Sequence, residues 1–254
     1  VNAVPVKTAR LTWTPSANVA HNRNRGLSLS NDIFSVKYLE TADLGGKGQS
    51  GNKSQLVQGG YALGAFYLWQ YTGKNKDGVS EFLAADGGVT TSPSSTDRVY
   101  SGDAQPSVMY GWSNSITYRN FDINVFVRGV SGNKILNATL ANLNSPADAA
   151  NTNIPRFSLG ESPADAKAPY ISTRYLENGS YLRLDNATIG YNVPLESNYI
   201  RKLRIYVSGN NLFVITKYRG IDPEINMGGL TPGIDNNNFY PKTRSFLLGL
   251  NATF

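Results

Sequence analysis

The sequence contains no cysteine. A disulfide framework and a thiolate metal site are therefore both excluded. Charge is scarce too. Asp, Glu, Lys and Arg make up 17% of the residues, against about 25% in soluble proteins, so the composition does not describe a wholly solvated surface. The single histidine, His21, has no Cys, Ser or carboxylate motif around it, and it reads as a surface or interface side chain rather than a catalytic base. No run approaches the ~18 apolar residues of a membrane helix. The opening V-N-A-V-P-V-K lacks the charged region and apolar core of a signal peptide. The net charge of +6 is spread along the chain without a basic helix or nucleic-acid motif, so nucleic acid is not an expected partner. Neither a cofactor nor a metal is expected.

What the sequence does have is tyrosine and glycine, 15 and 25 residues respectively, within a length that allows one or two domains. Low charge with many Tyr and Gly suits a β-barrel with aromatic girdles and polar loops. It also suits a secreted β-sandwich.

The stretch from Arg244 to Phe254 reads R-S-F-L-L-G-L-N-A-T-F. Phe246, Leu248, Leu250, Ala252 and Phe254 are apolar and fall on every second position, while Ser245, Leu247, Gly249, Asn251 and Thr253 between them are small or polar apart from Leu247. Alternate residues of a strand point to opposite faces. A transmembrane strand needs about 9–11 residues of this pattern, apolar toward lipid and polar toward the lumen. Phe246, Leu248, Leu250 and Phe254 are thus expected to face lipid, and Ser245, Asn251 and Thr253 the lumen.

Further strands follow from the same period. Leu11 to Asn22 alternates, although Pro15 cannot donate to a ladder and implies a bulge or an unpaired edge. Trp112 to Tyr118 and Phe121 to Arg128 alternate on either side of Arg119-Asn120, a hairpin signal. Asp122 and Arg128 would be costly in hydrocarbon but stable in a wet lumen. Tyr181 to Val193 and Leu203 to Thr216 form a second pair, joined through Pro194 to Ile200. Trp13, Trp112, Tyr118 and Tyr191 are expected near strand ends, in interfacial girdles.

Between the strands lie long polar stretches at 24–105, 134–180 and 217–243, rich in Gly, Ser, Asn and Pro. The last two include Pro169, an alanine-rich piece at Ala147 to Ala150 that suits a turn of helix, and Asp235-Asn236-Asn237-Asn238, which reads as a turn. The connections alternate long, short, long, short, long. A bacterial barrel has short periplasmic turns and long extracellular loops, and a soluble sandwich has no reason to keep that parity. The expected fold is all-β: an antiparallel transmembrane β-barrel segment with long extracellular loops on one rim. Inside the first loop lies an aromatic island containing Tyr61, Phe66, Tyr67, Trp69 and Tyr71. It reads either as the loop's own small core or as a partner- or substrate-contacting patch, with Tyr67 and Trp69 the expected exposed anchors.

Three segments resemble the closing part of the SusC/RagA family of TonB-dependent outer-membrane transporters of Gram-negative bacteria. They are Y-L-E-N-G-S-Y-L-R-L-D-N-A-T-I-G-Y-N-V-P (Tyr175 to Pro194), R-I-Y-V-S-G-N-N-L-F-V-I-T-K-Y-R-G-I-D-P-E (Arg204 to Glu224) and F-Y-P-K-T-R-S-F-L-L-G-L-N-A-T-F (Phe239 to Phe254). G-G-Y-A-L-G-A-F-Y and G-D-A-Q-P-S are looser matches upstream. The resemblance implies that residues 1–254 are the C-terminal portion of a 22-stranded barrel domain. The plug and TonB box would lie outside this chain. It implies the rest of the barrel and plug, a SusD-like surface lipoprotein lid, TonB and the lipid bilayer as partners, and a glycan or peptide as cargo. It also implies that Phe254 is a barrel-terminal assembly signal. Asp222, Pro223 and Glu224 would be a recurring structural loop motif rather than a glycosidase carboxylate pair. The rival reading is a secreted sugar-binding β-sandwich module using the aromatic island.

Overall fold

The structure, a computed structural model, describes residues 1–46, 48–146, 149–167, 170–197, 199–225, 228–237 and 240–254. Ala147, Pro169, Asn238 and Phe239 lie outside the described residues. The strands in chain order are β1 (Val6–Lys7), β2 (Leu11–His21), β3 (Tyr38–Asp43), β4 (Lys53–Gln58), β5 (Ala65–Trp69), β6 (Tyr71–Lys74), β7 (Ser80–Leu83), β8 (Val89–Thr90), β9 (Arg98–Asp103), β10 (Val108–Tyr118), β11 (Phe121–Ser131), β12 (Lys134–Asn137), β13 (Leu176–Asn178), β14 (Tyr181–Val193), β15 (Lys202–Thr216), β16 (Ile234–Asp235) and β17 (Ser245–Thr253). One short helix, α1 (Ala138–Leu143), follows β12 and is capped by the Asn137 side chain, which accepts from the Leu140 N–H.

Seven strands make one antiparallel sheet in the order β1-β2-β10-β11-β14-β15-β17. Between β2 and β17 sequential wall strands are neighbours, so every connection joins adjacent edges. The long connections leave from the His21/Val108, Ser131/Tyr181 and Thr216/Ser245 ends, and the two short turns lie at the opposite rim. The parity read from loop lengths is thus the parity of the sheet.

Register divides the sheet into two faces. One row of partners runs Leu11–Tyr118–Phe121–Tyr191–Ile205–Leu250. Another runs Pro15–Asn114–Val125–Ala187–Gly209–Phe246. This face is apolar and uncovered: Val207 is 47% exposed, Ile189 49% and Leu248 76%. Rows on the other face are polar, such as Asn124–Thr188–Ser208. A sandwich buries its apolar face against a second sheet. Here that face is open, which overturns the sandwich alternative; the architecture is a section of barrel wall.

At Pro15 the edge alternative holds rather than the bulge, and one further detail, at Asp185, differs from the sequence reading. Pro15 makes no bulge, because the β2–β10 register is unbroken from Leu11↔Tyr118 to His21↔Val108. The Pro15 carbonyl accepts from the Ala3 N–H. A residue's N and C=O point to the same side of an antiparallel strand, so the missing N–H faces the edge rather than β10. The bulge lies instead at Asp185. Register shifts between β11 and β14 at Phe126/Val127, and between β14 and β15 at Leu184/Asn186. An extra residue reverses the alternation. The apolar positions of β14 accordingly switch from Ala187, Ile189 and Tyr191 to Leu184 and Leu182 while staying on one face, with Leu184 opposite Val127 and Phe213.

Asn114 is the polar exception on the apolar face. It is buried, and its Oδ1 accepts from the Trp13 indole N–H at 3.0 Å. Of the four girdle candidates, Tyr118 and Tyr191 do stand at the short-turn end. Trp112 does not: its partners Ala17 and Val127 place it midway along the wall.

The long loops are not structureless. β3-β4-β5-β9 and β6-β7-β8 form small sheets within the first. Leu44, Phe66, Leu68 and Ala104 from that loop pack with Leu136, Ala138, Leu140, Ile171 and Tyr175 from the second, and Ile234 of the third packs against them. Parallel pairing of Leu136 with Ile234 and a 2.6 Å hydrogen bond from Gln55 Nε2 to the Pro232 carbonyl join the loops further. The three loops therefore share one core above the rim.

Candidate functional site

The polar face carries its charges at its two ends, with Asn, Ser and Thr between. At the loop end, Arg128 of β11 and Arg183 of β14 project inward at the bulge. Arg183 is fully buried and donates to Asp222 at 2.6 Å, and its Nε lies 2.9 Å from Glu224. Arg128 donates to both Glu224 oxygens, at 2.5 and 3.0 Å, and to Asp185 at 2.9 Å. Lys242 adds a fourth contact to Glu224 at 2.5 Å, and Arg183 also reaches Asn211. Such bidentate charge-assisted bonds are the stronger kind. Burial works against the charge on Glu224, but the hydrogen bonds from Arg128 and Lys242 outweigh it and hold its carboxyl at about 2. The D-P-E segment thus fastens the third loop onto the polar wall. Both acids are occupied by cations.

At the short-turn end, Asp122 of β11 receives Arg204 of β15 at 2.8 and 2.5 Å across the intervening β14. Gly190 makes this possible, since a Cβ there would lie 2.6 Å from both Arg204 and Asp122. Arg204 also sits 4.7 Å from the Tyr206 ring centroid, and that ring lies against Gly249, where a Cβ would come within 2.2 Å of it.

Among the loops, the aromatic island is split. Phe66 is fully buried and Trp69 nearly so. Trp69 donates to the Ser94 carbonyl at 2.6 Å, lies under Arg98 and meets Phe82 and Tyr170. Trp69 is therefore not the exposed anchor expected from its type; an indole in a tight loop contributes more by covering its own core. Tyr67 and Tyr71 are half-buried, Tyr67 against Tyr100 and Tyr71 against Phe82. Tyr61 alone of the five is exposed, with one face stacked on Tyr100 at 3.5 Å. Asp235 is also not part of a plain turn. It lies in β16, accepts from Thr139 at 2.6 Å and from the Tyr218 hydroxyl, and is buried. Burial, and then the Asp235 carboxylate, raise the Tyr218 hydroxyl well above its ordinary value.

A further ion-pair group ties the first loop to the second. Lys74 and Arg174 both contact Glu161, at 2.6 and 2.8 Å, and Arg174 forks onto Asp165. Sequence reasoning missed this group and the Arg128–Arg183–Glu224 network, because the partners lie 9 to 96 positions apart or meet only through register. One signal was present: the apolar parity of β14 switches at Asp185. Phe246, Leu248 and Leu250 lie on the apolar face and are exposed, and Phe254 follows β17 at the short-turn rim.

No protein-family model matches the chain. Its whole length aligns with TonB-dependent receptor P3 of Formosa agariphila at 32% identity and with TonB-dependent receptor SusC of Bacteroides thetaiotaomicron at 30%. The chain spans 28% and 26% of those two relatives. Its fold matches all along the chain with part of the RagAB peptide transporter, with TM-score 0.78 at 21% identity and 28% of that chain covered. The open wall and its fastened loops thus define a section of a TonB-dependent receptor. Within that class the relatives it resembles include SusC.

Proposed function

We propose that this chain supplies part of the wall and three outer loops of an outer-membrane transporter that imports a nutrient, a glycan or a peptide, with energy from TonB. The observation that carries the reading is the uncovered apolar face of an antiparallel wall whose opposite face is polar. Unpaired backbone in lipid costs several kcal/mol per group, so the wall works only as part of the closed barrel, around a plug. Phe246, Leu248 and Leu250 meet hydrocarbon, Tyr118 and Tyr191 belong to the girdle at the short-turn rim, and Phe254 serves as the assembly signal. The shared loop core makes the outer loops one body, which meets a SusD-like lipoprotein lid. Tyr61, Tyr67 and Tyr71 are the members of the island with surface left for that partner or for cargo.

The full-length transporter, purified from outer membranes, tests this. Copurification of a surface lipoprotein and TonB-dependent uptake of a peptide or glycan pool are expected. Recovery in the soluble fraction with no lipoprotein contradicts it.

A further inference from the structure

The short-turn rim is mostly basic. The β1–β2 turn contributes Lys7 and Arg10, the β10–β11 turn Arg119, and the β14–β15 turn Arg201 and Lys202. All five are exposed, and among the described residues none has a carboxylate partner. The one other acid in these turns is Glu196, also exposed; Asp122, just inside, is taken by Arg204. The cations occupy successive turns along the sheet. The Arg119 N–H bonds the Arg10 carbonyl at 2.8 Å, and the Arg201 N–H bonds the Thr253 carbonyl at 2.7 Å, so backbone contacts fix their spacing.

The apolar face ends just inside this belt, in the row that holds Tyr118, Phe121 and Tyr191. Phe121 and Tyr191 pack at 4.8 Å, and the Arg119 guanidinium lies 5.5 Å from the Tyr118 ring centroid. Tyr199 is also exposed in the β14–β15 turn. Aromatic rings concentrate at the headgroup level, and long basic side chains reach past them toward the polar layer. Unpaired cations at that depth attract anionic lipid.

Lys7 and Lys202 pair with Thr12 and Thr253 on the polar face, so we infer that Arg10, Arg119 and Arg201 form a belt that binds the headgroups of anionic phospholipids in the periplasmic leaflet. The inference rests on the barrel reading, which places short turns on the periplasmic side. A lipid bound there would grip the wall at three turns and fix its depth.

The test uses the full-length transporter in nanodiscs of phosphatidylcholine doped with phosphatidylglycerol, with native mass spectrometry of the lipids it retains. Wild type is expected to enrich phosphatidylglycerol, less so at high salt. Each cation neutralised among Arg10→Gln, Arg119→Gln and Arg201→Gln should reduce the preference about fivefold. Arg119→Lys and a Lys217→Gln control at the opposite rim should leave it unchanged. A folded, nanodisc-inserted transporter without phosphatidylglycerol enrichment, or one whose enrichment survives the triple Gln variant, overturns this inference alone. A full-length protein that does not enter nanodiscs overturns the barrel reading beneath it.

Discussion

Arg183 on the inner wall and Asp222 in the third outer loop are held 2.6 Å apart, and both are almost completely buried. Removing one member of such a pair leaves a charge without a partner, at a cost of about 3–5 kcal/mol. Arg183→Met in the full-length transporter is therefore expected to free residues 217–243 from the wall. Limited trypsin digestion should then cut at Lys217 or Lys242, where wild type resists. An unchanged cleavage pattern contradicts the fastening.

The same network gives a pH dependence with a definite sign. Glu224 is held at about 2, below its ordinary 4.5, so its contribution is complete above 4.5 and fades as pH falls through that interval. Protection of the third loop against hydrogen exchange, taken relative to the intrinsic rate at each pH, should be constant from neutrality to about pH 5 and fall below it. Loss of protection already between neutrality and about pH 5 would show that another group controls the loop.

Gly190 is required where Asp122 and Arg204 meet across β14. A methyl group there would sit 2.6 Å from both side chains, and overpacking of this kind costs about 1–3 kcal/mol. Gly190→Ala should lower the unfolding temperature of the full-length barrel, and the Gly190→Ala/Asp122→Ala double variant should lose less than the two single changes summed. Additive losses would separate the glycine from the ion pair.

Trp69 and Tyr61 should behave differently although both belong to the aromatic island. Trp69→Ala empties a buried site, at about 3–5 kcal/mol, and is expected to loosen the whole loop body. Tyr61→Ala removes an exposed ring stacked on Tyr100 and should weaken lid copurification while leaving loop hydrogen exchange intact. Equal effects on exchange would contradict this division.

The wall was legible in the sequence because its period is two and its turns are short. Leu250 and Asn251, or Ile189 and Thr188, show their faces by alternation alone. The loops were not, because their order comes from contacts distant in sequence. Gln55 bonds the Pro232 carbonyl, and Leu136 pairs with Ile234. Trp69 shows the limit of residue type as a guide: the properties that suit an exposed anchor also suit a small core. The resemblance marks the D-P-E motif as structural, and alternation puts its partner Arg128 on the polar face, whereas Arg183 joins them only through a bulge that flips the register of β14.

The most direct measurement is quenching of a fluorophore attached through Leu250→Cys or Asn251→Cys in the cysteine-free wall of the full-length transporter, using brominated lipids and aqueous iodide. Leu250 and Asn251 are neighbours on opposite faces of β17. Strong quenching by brominated lipid at position 250, and by iodide but not lipid at position 251, is expected. Equal quenching at the two positions, or the reverse assignment, would contradict a wall with its apolar face in the bilayer.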